Sequence, residues 1–298
     1  MDIQDLAQRF GITDRIRFVA GKGGLILAEL DAAGGSAVVS TYAGQVLSFR
    51  PDGAEDLMFL SDTAYYAPGK AIKGGVPVCW PWFGPDPEGK GRPGHGFVRN
   101  RQWEVRGTEA LADGRLRLIL GLSDSDDTRT IWPHAFDLRI EITVGAALEM
   151  VLATRNLGPS PFALSQGLHT YFRVGDIART RVLGLEDCAY IDKMDGGAEK
   201  RQQGAVTITG ETDRIYTGVA GPLEIDDAAL ARRIRIVPAG SASAVVWNPW
   251  DATARSMADL GDDDYLRLIC VETTNAADDT VTVAPGAEHR LSATYTLA

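Results

Sequence analysis

The stretch FDLRIEITV, Phe136 to Val144, sends Phe136, Leu138, Ile140, Ile142 and Val144 to one side and Asp137, Arg139, Glu141 and Thr143 to the other. Apolar residues at every second position mark a strand, because successive side chains leave a pleated backbone on opposite faces. One face is buried and the other wet. The same period recurs outward, in RIRFVA, LILAEL, SAVVSTY, QVLSF and LRLILGL on the N-terminal side and in LEMVLATRN, RIRIV, AVVWN, YLRLICVE, TVTVA and HRLSATYTL on the C-terminal side. Turn-prone GKGG, DAAGG, RPDG, GLSDSDD, VGAA, NLGPSP and APGAE separate these runs. Many short strands at hairpin spacing predict an all-β chain, a large antiparallel β-sandwich with a few short helices. Helical patterning is confined to IQDLAQRFG, DDAALARR and ARSMADLGDDD. No repeat or linker divides the chain, so residues 1–298 are expected to form a single domain.

Composition narrows the function classes. The chain is 45% hydrophobic without an apolar run of membrane-spanning length, so no membrane association is expected. Thirty basic residues against forty acidic ones give a net charge of −10, which disfavours nucleic acid and anionic lipid. An anionic substrate would need a local basic cluster. Cys79, Cys188 and Cys270 are odd in number and far apart, which fits reduced, buried thiols better than disulfides or a metal site. With no secretory signal in MDIQDLAQRFGITD, the expected location is cytoplasmic.

The segment GGVPVCWPWFGPDPEGKGRPGHGFVRNRQW, Gly74 to Trp103, holds three tryptophans, two phenylalanines and five prolines. Proline and glycine exclude a long helix here, so loops and short strands must carry the rings. Such rings suggest a ligand floor, and Lys73, Arg92, Arg99 and Arg101 supply cations beside it. Of the four histidines, His134 and His289 read as structural or solvated. His95, between two glycines, reads as a turn residue or a ligand contact. His169 shares a polar, small and aromatic strand face with Ser165, Gly167 and Tyr171, a makeup that also suits sugar binding. Glu272, in LRLICVETTN, shares a face with Leu266, Leu268 and Cys270; it is paired, raised in pKa or at an exposed strand end. Phosphate loops, dinucleotide fingerprints, serine elbows and metal-spaced His or Cys pairs are absent from the sequence, which leaves acid/base chemistry on a polyol.

The runs IKGGVPVCWPWFGP, HGFVRNRQWEV, LHTYFRVGDI, TDRIYTG, VWNPWDATARSMADLGDDDYLRLICVE and VTVAPGAEHRLSATYTL, in that order, resemble the glucose-6-phosphate 1-epimerases of the aldose 1-epimerase (galactose mutarotase-like) superfamily. The resemblance implies a galactose mutarotase-like sandwich with the sugar on a concave sheet face. It implies that His169 is general acid toward the ring oxygen and Glu272 general base toward the C1 hydroxyl. By the same resemblance His95 binds or polarises the sugar, Asp213 accepts hydrogen bonds from its hydroxyls, and Arg99 faces a 6-phosphate. Lys73 departs from the arginine usual before GGVP, offering a point charge in place of a bidentate fork. Trp80, Trp82, Phe83 and Phe97 would then wall the sugar, while a structural plug between sheets explains some of those rings equally well. The substrate class is a small-molecule sugar phosphate, with no cofactor or metal and the protein working as a monomer. The alternatives are a mutarotase of an unphosphorylated aldose and a non-enzymatic carbohydrate-binding or sensing protein on the same fold.

Overall fold

The computed structural model describes residues 2–298. Among them FDLRIEITV forms a strand, Phe136–Val144, with its five alternate apolar residues fully buried. It runs antiparallel between Leu116–Ser123 and Ala147–Asn156, pairing Leu120 with Ile140 and Ile140 with Leu152. Its outer face carries charges because the strands next but one on either side supply their complements. Arg106 reaches Asp137 at 2.5 Å, Arg139 reaches Glu288 at 2.7 Å and Arg290 reaches Glu141 at 3.1 Å. Such exposed pairs add little stability each, typically about 0–1 kcal/mol. They keep the outer face wet while the inner face builds the core.

These strands belong to a nine-stranded antiparallel sheet that also contains Glu104–Ala110, Glu288–Leu297, Arg232–Ala239, Leu223–Asp227, Thr180–Leu183 and Val206–Thr207. A second, eight-stranded sheet is ordered Ala198–Arg201, Ala189–Asp192, Thr212–Thr217, Ser243–Asn248, Leu268–Asn275, Gln166–Leu168 and Val78–Cys79, with Tyr171–Arg173 also paired to Leu268–Asn275. A four-stranded sheet covers Ile16 to Pro51. The two large sheets meet through specific contacts. The Thr170 and Tyr295 hydroxyls are 2.7 Å apart, Phe172 meets Tyr295 edge to face, and Trp80 Nε1 donates to Thr154 Oγ1 at 2.9 Å.

Trp80 occupies the centre of this layer, in contact with Phe97, Trp132 and Phe136 at ring-centroid distances of 5.8, 5.0 and 4.5 Å. Truncating such a ring to alanine typically costs about 3–5 kcal/mol. The aromatic loop is thus mainly a plug between sheets. Trp80, Trp82 and Phe97 are buried and do not wall the sugar as expected; of that quartet only Phe83 reaches the cleft.

The helical expectations fared unevenly. IQDLAQRFG contains the helix Ile3–Phe10, capped by the Asp2 carboxylate. DDAALARR is instead a hairpin turn joining Leu223–Asp227 to Arg232–Ala239. Asp227 accepts from the amides of Gly175, Ala229 and Leu230, so its carboxylate fixes a turn that competes with a helix. The ARSMADLGDDD helix begins earlier, at Trp250, and ends at Ser256. Leu266 lies outside the strand Leu268–Asn275, in a short 3-10 turn, and is exposed. A helix at Asp126–Ile131, with a Ser125–Thr128 capping box, gave no sequence signal long enough to read.

Candidate active site

Leu268–Asn275 is buried along its whole length, an interior strand with a neighbour on either side. Its period of two sends Ile269 and Val271 into the core between the sheets, and Cys270 and Glu272 to the opposite face. The chain from Gln166 to Arg173 runs antiparallel to it and breaks at His169–Thr170, where His169 N donates to Pro77 O at 3.0 Å. That break brings the His169 ring over Glu272. His169 Nδ1 stands 3.5 Å from Glu272 Oε1, too long for a strong hydrogen bond.

Both side chains are nearly inaccessible, at 8% and 2% exposure, and both His169 Nδ1 and Glu272 Oε2 lack a hydrogen-bond partner among the described residues. Unpaired polar atoms at such depth are costly. Both residues line a cavity of ≈ 210 Å³ together with Lys73, Phe83, His95, Arg99, Tyr171, Lys193, Asp213, Val245, Trp247 and Met257. All six sequence-predicted site residues, Lys73, His95, Arg99, His169, Asp213 and Glu272, therefore converge on one hollow. A larger hollow of ≈ 720 Å³ lies over the four-stranded sheet. It contains no histidine, and its Asp56 is saturated by Ser48 and by the amides of Phe49 and Met58, so size does not choose the site.

The His169 ring stacks on Tyr171 at 4.9 Å and 11°, and Trp247 meets it edge-on at 6.1 Å. Burial drives its pKa well below the ordinary histidine value, reinforced by His95 and by the charges of Arg99 and Lys73. Burial likewise drives the Glu272 carboxyl well above its ordinary value, with Asp213 adding to the shift and Lys193 and Arg99 opposing it. The salt-bridge geometry and these shifts point to different charge states for one pair. Burial outweighs the contact, so the neutral pair, imidazole beside carboxylic acid, is favoured over the ion pair.

His95 sits at φ 61°, in the left-handed region, on a loop that runs beside Trp80. Its Nδ1 accepts from Gly84 N at 3.3 Å, so the ring proton is on Nε2. Burial first, then Arg99, Lys193 and Lys73, lowers its pKa to about 3. Gly96 follows at φ 74°, and a Cβ there would stand 1.8 Å from the Trp80 carbonyl oxygen. Only glycine permits this approach.

The cations differ in how far they are already satisfied. Arg92 is consumed by Asp86 and Glu88, and Arg101 by Asp127 at 2.6 Å, and neither lines the cavity. Lys73 lies 3.5 Å from Asp259, and Lys193 lies 3.2 Å from Asp213. Arg99 forms no ion pair among the described residues; it donates from one terminal nitrogen to Gly94 O at 3.0 Å and leaves a buried Nε unpartnered. Sequence reasoning missed Lys193, which sits in a short turn with no local pattern, and Trp247, whose register neighbour Cys270 only sheet pairing reveals. Nδ1 or Nε2 of His169, Cys270 Sγ and a Glu272 oxygen also lie within 4.8 Å of one another.

Antiparallel sheets thus hold an imidazole against a carboxyl in a polar, aromatic-walled hollow, the makeup of a sugar-binding β-sandwich. The sequence model described as aldose 1-epimerase matches residues 27–296, and the chain belongs to that family. It is an isomerase of the epimerase class. A protein of Escherichia coli K12 provisionally named glucose-6-phosphate 1-epimerase is 40% identical over 234 residues, 78% of this chain and 77% of that one. One from Cenchrus ciliaris with the same provisional name is 35% identical over 265 residues, 85% and 79% of the two chains. The crystal structure of a provisionally named mutarotase from Salmonella typhimurium superposes with a TM-score of 0.90 at 34% identity, covering 97% of this chain and 95% of that one.

Proposed function

We propose that the protein interconverts the α and β anomers of a hexose 6-phosphate, glucose 6-phosphate above all, with His169 and Glu272 as its acid/base pair. The observation that carries this reading is the pair itself, 3.5 Å apart, each residue with a buried unpartnered atom and both lining a common cavity. The ring oxygen and the C1 hydroxyl oxygen are bonded to one carbon, so the groups that serve them must stand within a few ångströms of each other. Shifting the shared proton from Glu272 to His169 gives carboxylate and imidazolium without changing the pair's net charge. The carboxylate then accepts the C1 hydroxyl proton as the imidazolium protonates the ring oxygen. The C1–O5 bond breaks, a C1 carbonyl forms, and rotation about C1–C2 turns its other face to the returning hydroxyl. Closure reverses both transfers and restores the pair, so the chemistry requires no cofactor.

His95 has an Nε2–H to offer a sugar oxygen, and Asp213 has acceptors for hydroxyls. Arg99 supports the phosphate assignment, because its guanidinium has no carboxylate partner and matches phosphate bidentately. Lys73 adds a point charge from the same wall. One continuous core from Leu6 to Tyr295 supports treating the chain as a single domain.

Freshly dissolved α-glucose 6-phosphate and α-glucose, followed by polarimetry or exchange NMR with and without protein, test the reading. Acceleration of the phosphorylated sugar alone is expected. Acceleration of glucose to the same degree would make the substrate an unphosphorylated aldose, and no acceleration of either would leave a sugar-binding protein.

A further inference from the structure

The cluster of His169, Cys270 and Glu272 contains one group that acid/base chemistry does not use. Cys270 shares the strand face of Glu272 and is fully buried behind the cavity floor. Its sulfur, a His169 ring nitrogen and a Glu272 oxygen lie within 4.8 Å of one another. His169 Nδ1 and Glu272 Oε2 have no hydrogen-bond partner among the described residues, although the two side chains are only 10% and 1% exposed. His169 comes from a segment about a hundred residues before the strand that carries Cys270 and Glu272, so sequence spacing gave no hint of a metal site.

A zinc ion binds thiolate sulfur at about 2.3 Å and imidazole nitrogen or carboxylate oxygen at about 2.0 Å, which puts ligand atoms roughly 3.5 Å apart around a tetrahedral centre. The widest separation here must close by about 1 Å, within the reach of a side-chain rotation, and the His169–Glu272 contact is already at that spacing. We propose that His169, Cys270 and Glu272 form a binding site for a thiophilic divalent cation, zinc or cadmium, whose occupancy blocks the acid/base pair. Binding displaces the thiol proton and the carboxyl proton to solvent. The thiolate and carboxylate then cancel the 2+ charge, so the loaded site is neutral where burial penalises net charge. The fourth position opens to the cavity, toward water or a sugar hydroxyl. A metal held by both His169 and Glu272 occupies the lone pairs the reaction needs, so the cation excludes turnover.

Metal binding is read without turnover, so its failure is distinct from failure of the anomerisation reading. Cadmium added to the purified full-length chain is expected to give an ultraviolet thiolate-to-metal charge-transfer band at one equivalent. The band should persist in Cys79→Ser and Cys188→Ser and vanish in Cys270→Ser. Zinc should abolish anomerisation reversibly, with recovery on adding a chelator, and inhibition should weaken by a factor of about ten or more in Cys270→Ser, where a soft ligand becomes a neutral hydroxyl. As a second variant, Glu272→Gln should lose the stabilisation zinc gives the unaltered protein in a thermal melt. A band retained in Cys270→Ser, zinc inhibition of equal strength in that variant, or equal zinc stabilisation of Glu272→Gln would each overturn the proposal.

Discussion

Replacing Glu272 with glutamine separates what this carboxyl does for the fold from what it does for the reaction. The side chain is 2% exposed, with one oxygen unpartnered, and burial raises its pKa well above the ordinary carboxyl value. A raised folded-state pKa means that its contribution to stability is fully present below the unfolded carboxyl's pKa. That contribution is lost as pH rises toward the folded value. Between those two values the folded state holds one proton more than the unfolded state, and stability falls by up to about 1.4 kcal/mol per pH unit. Glutamine has nearly the same shape and no charge, so the variant lacks this slope. For a chain of this size 1 kcal/mol moves Tm by about 2 °C, so Glu272→Gln should gain on the unaltered protein by roughly that much per pH unit across the window. Activity should move the other way. Losing a general base costs about 10²–10⁴ in rate. Melts of both proteins at matched pH values from weakly acidic to neutral, beside anomerisation rates by exchange NMR, give the two readouts. Parallel Tm curves would show that Glu272 is not held protonated, and near-normal turnover in the variant would remove it from the chemistry.

Between the lowered pKa of His169 and the raised pKa of Glu272 the pair keeps one proton, so kcat for anomerisation should stay flat through neutral pH. It should fall on the acid side as a second proton binds and on the alkaline side as the last is lost; a steep slope centred on neutrality, with spontaneous mutarotation subtracted, would contradict this. Arg99→Ala should raise KM for glucose 6-phosphate about tenfold or more, the scale of a charge-assisted hydrogen bond, and leave any rate with glucose nearly unchanged. Equal losses with both sugars would make Arg99 structural. Gly96→Ala should lower the unfolding free energy from denaturant titration by more than the roughly 1–2 kcal/mol of a left-handed alanine, with a lower midpoint, because its Cβ would also strike the Trp80 carbonyl. A midpoint unchanged from the parent would mean that the His95 loop can move aside.

What the sequence made legible was whatever hairpins determine locally. FDLRIEITV pairs with the next strand in the chain, so its alternation carries both its structure and its burial. DDAALARR misled because its spacing fits a helix while Asp227 closes a turn through its own side chain. The aromatic loop misled differently. Trp80 and Phe83 are three residues apart, yet one is plugged between the sheets and the other faces the cleft, and no period governs an irregular backbone. The six site residues became legible only together, through motifs in order, since each alone fits a structural role equally well. Lys193 stayed hidden because its place depends on Ala189–Asp192 pairing with Thr212–Thr217, a contact the local pattern does not encode.

The charge balance of the site follows from these pairings and reconciles an acidic chain with an anionic substrate. A net charge of −10 would repel a sugar phosphate at long range, but at physiological ionic strength charges more than about 8 Å apart are largely screened. The surface acids are moreover mostly committed, as in Asp137 with Arg106 and Glu288 with Arg139. Inside the cavity Lys73, Arg99 and Lys193 face two carboxyl groups, Asp213 and a Glu272 whose charged form burial disfavours, so cations outnumber carboxyl groups there although the chain as a whole is acidic. Burial first, and then the same three cations, lower the pKa of His95 to about 3 and keep it neutral, able to donate from Nε2 without adding a fourth charge. A carboxylate formed at Glu272 during the reaction is stabilised by the Lys193 and Arg99 charges that oppose its raised pKa. On the proposed assignment, the phosphate and the transient carboxylate draw on one group of cations, which would tie binding of the substrate's distal end to proton transfer at C1.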